Sequence, residues 1–155
     1  DTTFLAALKK AFVASGMRPP RRDKPILFSV TDRDKEEALG FARQMLGMGF
    51  DIAATNGTHA AFTANGIKCQ LVPHEDVVRA LKEREISMVI NTPTRGKLLD
   101  RLGFILRRTA MEFNVPCITS MDTLAALLSV MAVQDIEEHH IPLHEYLNYD
   151  KEPVQ

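Results

Sequence analysis

Short unbroken apolar runs alternate along this chain with longer stretches whose apolar residues recur every three or four positions. Residues 26–30, 50–54, 67–72, 87–91 and 116–119 have strand length and no continuous polar face, which predicts strands buried on both sides. Between them, residues 35–48 carry Ala38, Leu39, Ala42, Met45 and Leu46 at helical spacing. Further helices are predicted over 59–64, from Glu75 or Asp76 with Val77, Val78 and Leu81 inward, and over 98–113 and 122–131. Gly49 and Gly66 close two of them, and Pro73-His74-Glu75 and Thr92-Pro93-Thr94-Arg95-Gly96 break the chain.

This alternation implies an α/β domain over residues 26–134: a doubly wound, Rossmann-like sheet of five parallel strands with helices on both faces. Ligands bind such sheets at the carboxyl ends of the strands, near the point where strand order reverses. That rule selects Ser29 with the loop 31–35, then Thr55-Asn56-Gly57-Thr58, Asn91-Thr92-Pro93-Thr94, and Thr119-Ser120. Four strand ends carry hydroxyls or amides, with Lys35 as the cation. The stretch 54–58 reads as strand, turn and helix start, so its two threonines and the unpaired amides of a first helical turn can converge on a phosphate or carboxylate. In the plainer reading Thr58 caps the helix and Gly57 supplies an unusual backbone angle.

Composition narrows the classes. The chain has 155 residues, 45% hydrophobic and 25% charged, enough for one domain with a proper core. A net charge of -1 excludes a broad footprint for nucleic acid or anionic membrane, so any anion site is local. No apolar run has the length of a membrane span and no signal peptide is evident, which reads as cytoplasmic. Cys69 and Cys117 fall in predicted buried strands without metal or disulfide spacing and read as small core residues.

The ends are different in character. Phe4, Leu5, Leu8 and Phe12 mark a helix over 1–17, and residues 18–25 form a polar, proline-stiffened linker, as in a piece cut from a longer protein. That helix either packs back on the domain or belongs to a preceding one. Residues 135–155 read as a polar tail with a helical turn or two over 142–147. There His139, His140 and His144 have the spacing of a metal pair, but Pro142 interrupts the helix, and no metal site is assigned.

The strings Ile26-Leu27-Phe28-Ser29-Val30-Thr31-Asp32-Arg33-Asp34-Lys35-Glu36, Ala54-Thr55-Asn56-Gly57-Thr58, Val89-Ile90-Asn91-Thr92 and Ile105-Leu106-Arg107-Arg108-Thr109-Ala110 resemble the methylglyoxal-synthase-like domain. More closely, they are similar to the version at the C-terminus of the carbamoyl phosphate synthetase large subunit. The opening Phe4-Leu5-Ala6-Ala7-Leu8-Lys9-Lys10-Ala11 resembles the end of the preceding synthetic domain.

The resemblance implies regulation rather than chemistry. The parent enzyme makes carbamoyl phosphate from bicarbonate, ATP and glutamine-derived ammonia for pyrimidine and arginine biosynthesis, with Mg or Mn and K. This domain carries no cofactor and binds an effector: UMP, IMP or N-acetylglutamate. Ser29, Lys35, Thr55 and Thr58, with Gly57 between them, match effector-phosphate contacts; Asn91, Thr92 and Thr94 match the second pocket wall. Thr119 matches a position near an ornithine site where the domain meets its neighbour, and Arg107 and Arg108 fall on the domain's inner surface. The implied partners are the preceding synthetic domain and the small glutamine-hydrolysing subunit.

Two departures from relatives are readable. The uridylate-sensitive family carries a longer, lysine-bearing loop where this chain has Pro73-His74-Glu75-Asp76, and losing one charge-assisted phosphate contact costs about 1.5 to 3 kcal/mol. His74 could substitute in part when protonated. The alternative of a free-standing methylglyoxal synthase needs a carboxylate base and a histidine beside the substrate, and the motifs that bring them are missing. Asp32, Asp34, Glu75 and Asp76 remain as loop acids. A third reading is an interaction domain without an effector.

Overall fold

The computed structural model describes residues 1–93, 102–133, 136–137 and 139–145. Five parallel strands form one sheet in the order β3-β2-β1-β4-β5. They are β1 (Ile26–Ser29), β2 (Ile52–Ala54), β3 (Gln70–Leu71), β4 (Met88–Asn91) and β5 (Cys117–Ile118). Among the described residues they are accompanied by the helices α1 (Phe4–Ala14), α2 (Lys35–Gly47), α3 (Asn56–Ala64), α4 (Val77–Lys82), α5 (Leu102–Glu112) and α6 (Met121–Met131). The doubly wound fold read from the sequence is thus present.

Alternation along the strands sorts the core into two layers. Ile26 and Phe28 of β1, Ile52 and Ala54 of β2, and Met88 and Ile90 of β4 face the layer filled by α2, α3 and α6. Leu27, Ala53 and Val89, one residue out of phase, face α4 and α5 through Val77, Leu81, Leu106 and Ala110. The register Ile26↔Ile52 and Ile26↔Met88 keeps equivalent side chains level across the three central strands. The chain winds outward from β1 through β2 to β3, then crosses back to β4 on the other face, so the strand order reverses between β1 and β4.

Boundaries depart from the sequence reading where local chemistry differs. β3 shrinks to two exposed residues at the sheet edge, leaving Cys69 outside the ladder and only half-buried, as Cys117 is. Both cysteines pack against the core from half-buried positions. Gly49 (φ +82°) and Gly66 (φ +74°) follow α2 and α3 in the left-handed region that ends helices. The expected start of α5 at 98–101 and the end of the tail helix at 146–147 lie outside the described residues; residues 143–145 are helical.

The amino-terminal segment packs on this body. α1 lies against α6 with Ala6 fully buried, and Phe12 and Met17 reach the core. Pro20 is buried, and the Arg22 guanidinium lies 5.1 Å above the Phe50 ring. His139 meets Asp1 and Glu137 at 3.7 and 3.4 Å, which draws the tail toward α1. No helix among the described residues is long and apolar enough to cross a membrane.

Phe28 and Phe62 join β1 to α3, their ring centroids 5.4 Å apart and both side chains fully buried. Phe62→Ala is expected to destabilise the fold by about 3 to 5 kcal/mol, whereas Phe4→Ala, at a position 76% exposed, stays within about 0.5 kcal/mol. Urea denaturation of the two variants measures the contrast.

Candidate functional site

At the switch point β1 loses its neighbours, because β2 runs into α3 and β4 ends at Asn91. Val30 and Thr31 therefore leave the ladder with backbone groups still to satisfy. Side chains from the flanking strand ends supply the partners. The Val30 amide donates to Thr58 Oγ1 at 3.1 Å, and the Thr31 amide to Thr92 Oγ1 at 2.9 Å. Asn91 Nδ2 donates to the Ser29 carbonyl at 2.7 Å, and Thr55 Oγ1 to Ser29 Oγ at 3.1 Å. Thr55, Thr58, Asn91 and Thr92 are all buried.

The hydroxyls continue into a relay. Thr92 Oγ1 donates to Thr31 Oγ1 at 3.4 Å, and Thr31 Oγ1 to Asp34 Oδ2 at 2.7 Å, while Arg33 approaches Asp34 Oδ1 at 3.2 Å. The hydrogen bond from Thr31, helped by Thr92 and Arg33, outweighs partial burial and holds the Asp34 carboxyl below its usual value. A single 3-10 turn over Asp32–Asp34, absent from the sequence reading, brings this acid under Thr31.

The turn 54–58 is built differently from either plain expectation. Thr55, extended at φ -75° and ψ 160°, is the residue before α3, so Thr58 lies inside the first turn rather than capping it. Gly57 has ordinary helical geometry and no positive φ. A Cβ there would sit 3.8 Å from Lys35 Nζ, an ordinary contact, which places the ammonium beside this residue. The first amide to bond back is that of His59, to Thr55 O at 2.7 Å, which leaves the amides of Asn56, Gly57 and Thr58 without intrahelical partners.

Lys35 Nζ thus stands over the start of α3, held 2.6 Å from Asp32 Oδ1. Asp32 is 95% exposed, so this pair is solvated and readily exchanged. Ser29 accepts from Thr55 and Thr58 accepts from Val30, which leaves each hydroxyl proton to donate elsewhere. Lys35 Nζ and the amides of 56–58 thus lie at Gly57, while the Ser29 hydroxyl is bonded to Thr55, the residue before α3, and Thr58 lies in its first turn.

The remaining predicted residues divide. Asn91 and Thr92 are engaged in holding β1, through the Ser29 carbonyl and the Thr31 amide. Thr94 lies outside the described residues. Arg107, expected at an inner surface, reaches Asn91 Oδ1 through Nη1 at 2.5 Å. Gly103, one turn earlier, makes room: a Cβ there would lie 3.3 Å from that guanidinium. Arg108 points away and pairs with Glu112 at 2.9 Å, and Thr119 is exposed at the end of β5.

His74 and Cys117 complete the surroundings. The His74 amide donates to Asn56 Oδ1 at 3.2 Å, which ties the short 73–76 loop to the start of α3. Burial pushes the Cys117 thiol up to about 11 despite the nearby Arg107 charge, so it is no nucleophile at neutral pH. Asp76 lies 3.5 Å from Arg79 Nε on α4. Of the first loop's acids, Asp34 is held by Thr31 and Arg33 and Asp32 lies on Lys35.

Because Asp34 titrates lower folded than unfolded, its contribution to stability is present above about pH 4 and is lost as pH falls through the folded value. Urea midpoints at about pH 5 and pH 2.5 are expected to fall less in Asp34→Asn than in the unmodified chain. Equal losses would show that the relay adds nothing.

The family model of the MGS-like domain matches residues 37–119. The chain is 33% identical to the carbamoyl phosphate synthase large chain of Caldanaerobacter subterraneus over all of its own length and 14% of that protein's. It is 37% identical to the carbamoyl phosphate synthase large chain, C-terminal section, of Methanopyrus kandleri, covering 93% of this chain and 27% of that one. It therefore spans about a seventh to a quarter of the length of these relatives. Among solved structures, methylglyoxal synthase from Elizabethkingia anophelis superposes with a TM-score of 0.57 at 20% identity, covering 89% of this chain and 99% of that one, which supports the shared fold. By the match over more than half of its residues, and by homologues that are large chains of carbamoyl phosphate synthase, this chain belongs to the MGS-like domain family.

Proposed function

We propose that this chain is the allosteric effector-binding domain of a carbamoyl phosphate synthase large chain, and that it performs no chemistry itself. The observation that carries the reading is the position of Lys35 Nζ over the start of α3, beside the bare Gly57 and the hydroxyls of Ser29 and Thr58. An ammonium, two hydroxyl protons and three free amides suit the oxygens of one phosphate monoester. Thr55, Asn91 and Thr92 would hold these donors in place through β1. The effector class is a nucleoside monophosphate such as UMP or IMP, or N-acetylglutamate, whose carboxylates need the same donors.

Regulation then follows from differential affinity. An anion at the start of α3 competes with Asp32 for Lys35, and the Asp32–Asp34 turn is joined through Thr31 to β4. Occupancy would bias the arrangement of this edge, and a coupling of about 1 to 3 kcal/mol to a distant active site is the usual scale. The preceding synthetic domain is the partner that would receive the signal, with the small glutamine-hydrolysing subunit acting through the parent enzyme. ATP, Mg or Mn and K belong to that enzyme's synthetic parts in this reading.

Calorimetric titration with UMP, IMP and N-acetylglutamate tests the proposal. One of them is expected to bind near micromolar, about -8 kcal/mol, and Lys35→Gln to weaken it by about one to two decades with the fold retained. Thr58→Ala is the poorer probe, because Thr58 is 2% exposed and holds the Val30 amide. Unchanged affinity in Lys35→Gln, or no binding of any of the three, contradicts the reading.

A further inference from the structure

We propose a second anion site, at the opposite edge of the sheet, for a small polyanion of the phosphate type. A cavity of about 240 Å³ lies between the segment 18–24 and the amino-terminal ends of β4 and β5. Arg18, Arg21, Lys24 and Arg84 line it, over an apolar floor that includes Ile86 and Val115. None of its lining residues is acidic, in a chain whose net charge is -1.

The plain explanation for cations here is that they complement helix carboxyl ends. α4 and α5 both finish at this edge, each closed by a residue with φ +55°, Arg84 and Asn114. The Glu85 amide bonds back to Ala80 O at 2.9 Å, and the Val115 amide to Ala110 O at 2.8 Å. Two helix ends carry roughly one negative charge between them. Lys24 answers that charge, since its ammonium bonds the Arg84 carbonyl, and Arg21 is paired with Asp23. Glu83 and Glu85, the acids on either side of Arg84 in sequence, both pair with Arg79 instead. Arg18 and Arg84 remain, and among the described residues neither side chain makes an ion pair or hydrogen bond. The plain explanation therefore leaves the Arg18 and Arg84 guanidinium groups lining the cleft without a side-chain partner of their own among the described residues.

Two guanidinium groups facing one cleft suit phosphate oxygens, which each fork can bind in bidentate fashion. The Asn114 side-chain amide also lines the cleft and has no partner among the described residues. Ser87 adds nothing, because its amide and hydroxyl both go to Pro25 O. The volume falls below that of ordinary drug-sized pockets, which favours a compact group such as a diphosphate over a chain segment. Such a ligand would bridge Arg18, on the segment that precedes β1, to Arg84 on the body, and so lock that segment against the sheet.

The test is an amide chemical-shift titration of the 155-residue chain with inorganic pyrophosphate at low salt, with sodium chloride at matched ionic strength as control. Saturable shifts are expected at Arg84, Asn114 and Val115, separate from any at residues 56–58. Lys35→Gln should leave them unchanged, and Arg18→Ala combined with Arg84→Asn should weaken them at least about tenfold. Asn tolerates the left-handed backbone at 84, and Arg18→Ala alone, at an exposed position, gives a smaller weakening in the same direction. Shifts confined to 56–58, equal shifts with chloride, or shifts indifferent to the variants would overturn the proposal. So would a site that answers to an oligoglutamate peptide and not to pyrophosphate.

Discussion

The exit of β1 is the constraint on which the rest depends. A central strand in a doubly wound sheet is flanked on both sides until its neighbours turn away, and the residues just beyond must find other partners. Here Thr58 and Thr92 receive the Val30 and Thr31 amides, and Asn91 covers the Ser29 carbonyl. The same hydroxyls and amides that a ligand site would need are thus first required for the fold. Satisfying the backbone fixes their positions, so the donors around Gly57 are arranged before any anion arrives. Such prior ordering reduces what binding would otherwise cost in lost freedom.

The two edges of the sheet carry opposite solutions. At the carboxyl edge, buried neutral groups predominate and the charges Lys35 and Asp32 balance in a solvated pair. At the amino edge, helix carboxyl ends and the segment 18–24 gather Arg18, Arg21, Lys24 and Arg84 around a cleft whose lining residues include no acid. α1 and that segment lie on the body through Ala6, Pro20 and Arg22, so the amino edge is where the chain upstream of β1 meets the sheet.

Much of the fold was legible because parallel strands buried on both faces leave an unmistakable apolar run, as in Ile26-Leu27-Phe28 and Met88-Val89-Ile90. β3 was overextended because an edge strand needs no such run; Gln70 and Leu71 are both exposed. The start of α3 was placed late, since Asn-Gly usually marks a turn, whereas the extended Thr55 lets the helix begin at Asn56. That Ser29, Lys35, Thr55 and Thr58 lie near the carboxyl ends of β1 and β2 was legible because the strand-end rule depends only on order along the chain. Asp34 and Arg107 were read otherwise, as a loop acid and an inner-surface residue. Their contacts with Thr31 and Asn91 depend on a 3-10 turn and on the rotation of α5, which packing sets.

Whether the donors at the β1 exit receive an anionic effector is decided by crystals of this chain grown with UMP. Phosphate density is expected within hydrogen-bond reach of Lys35 Nζ, the Gly57 and Thr58 amides and the Ser29 hydroxyl, with the Asp32 contact to Lys35 released. A phosphate bound elsewhere, with the Lys35–Asp32 pair intact, would overturn this reading.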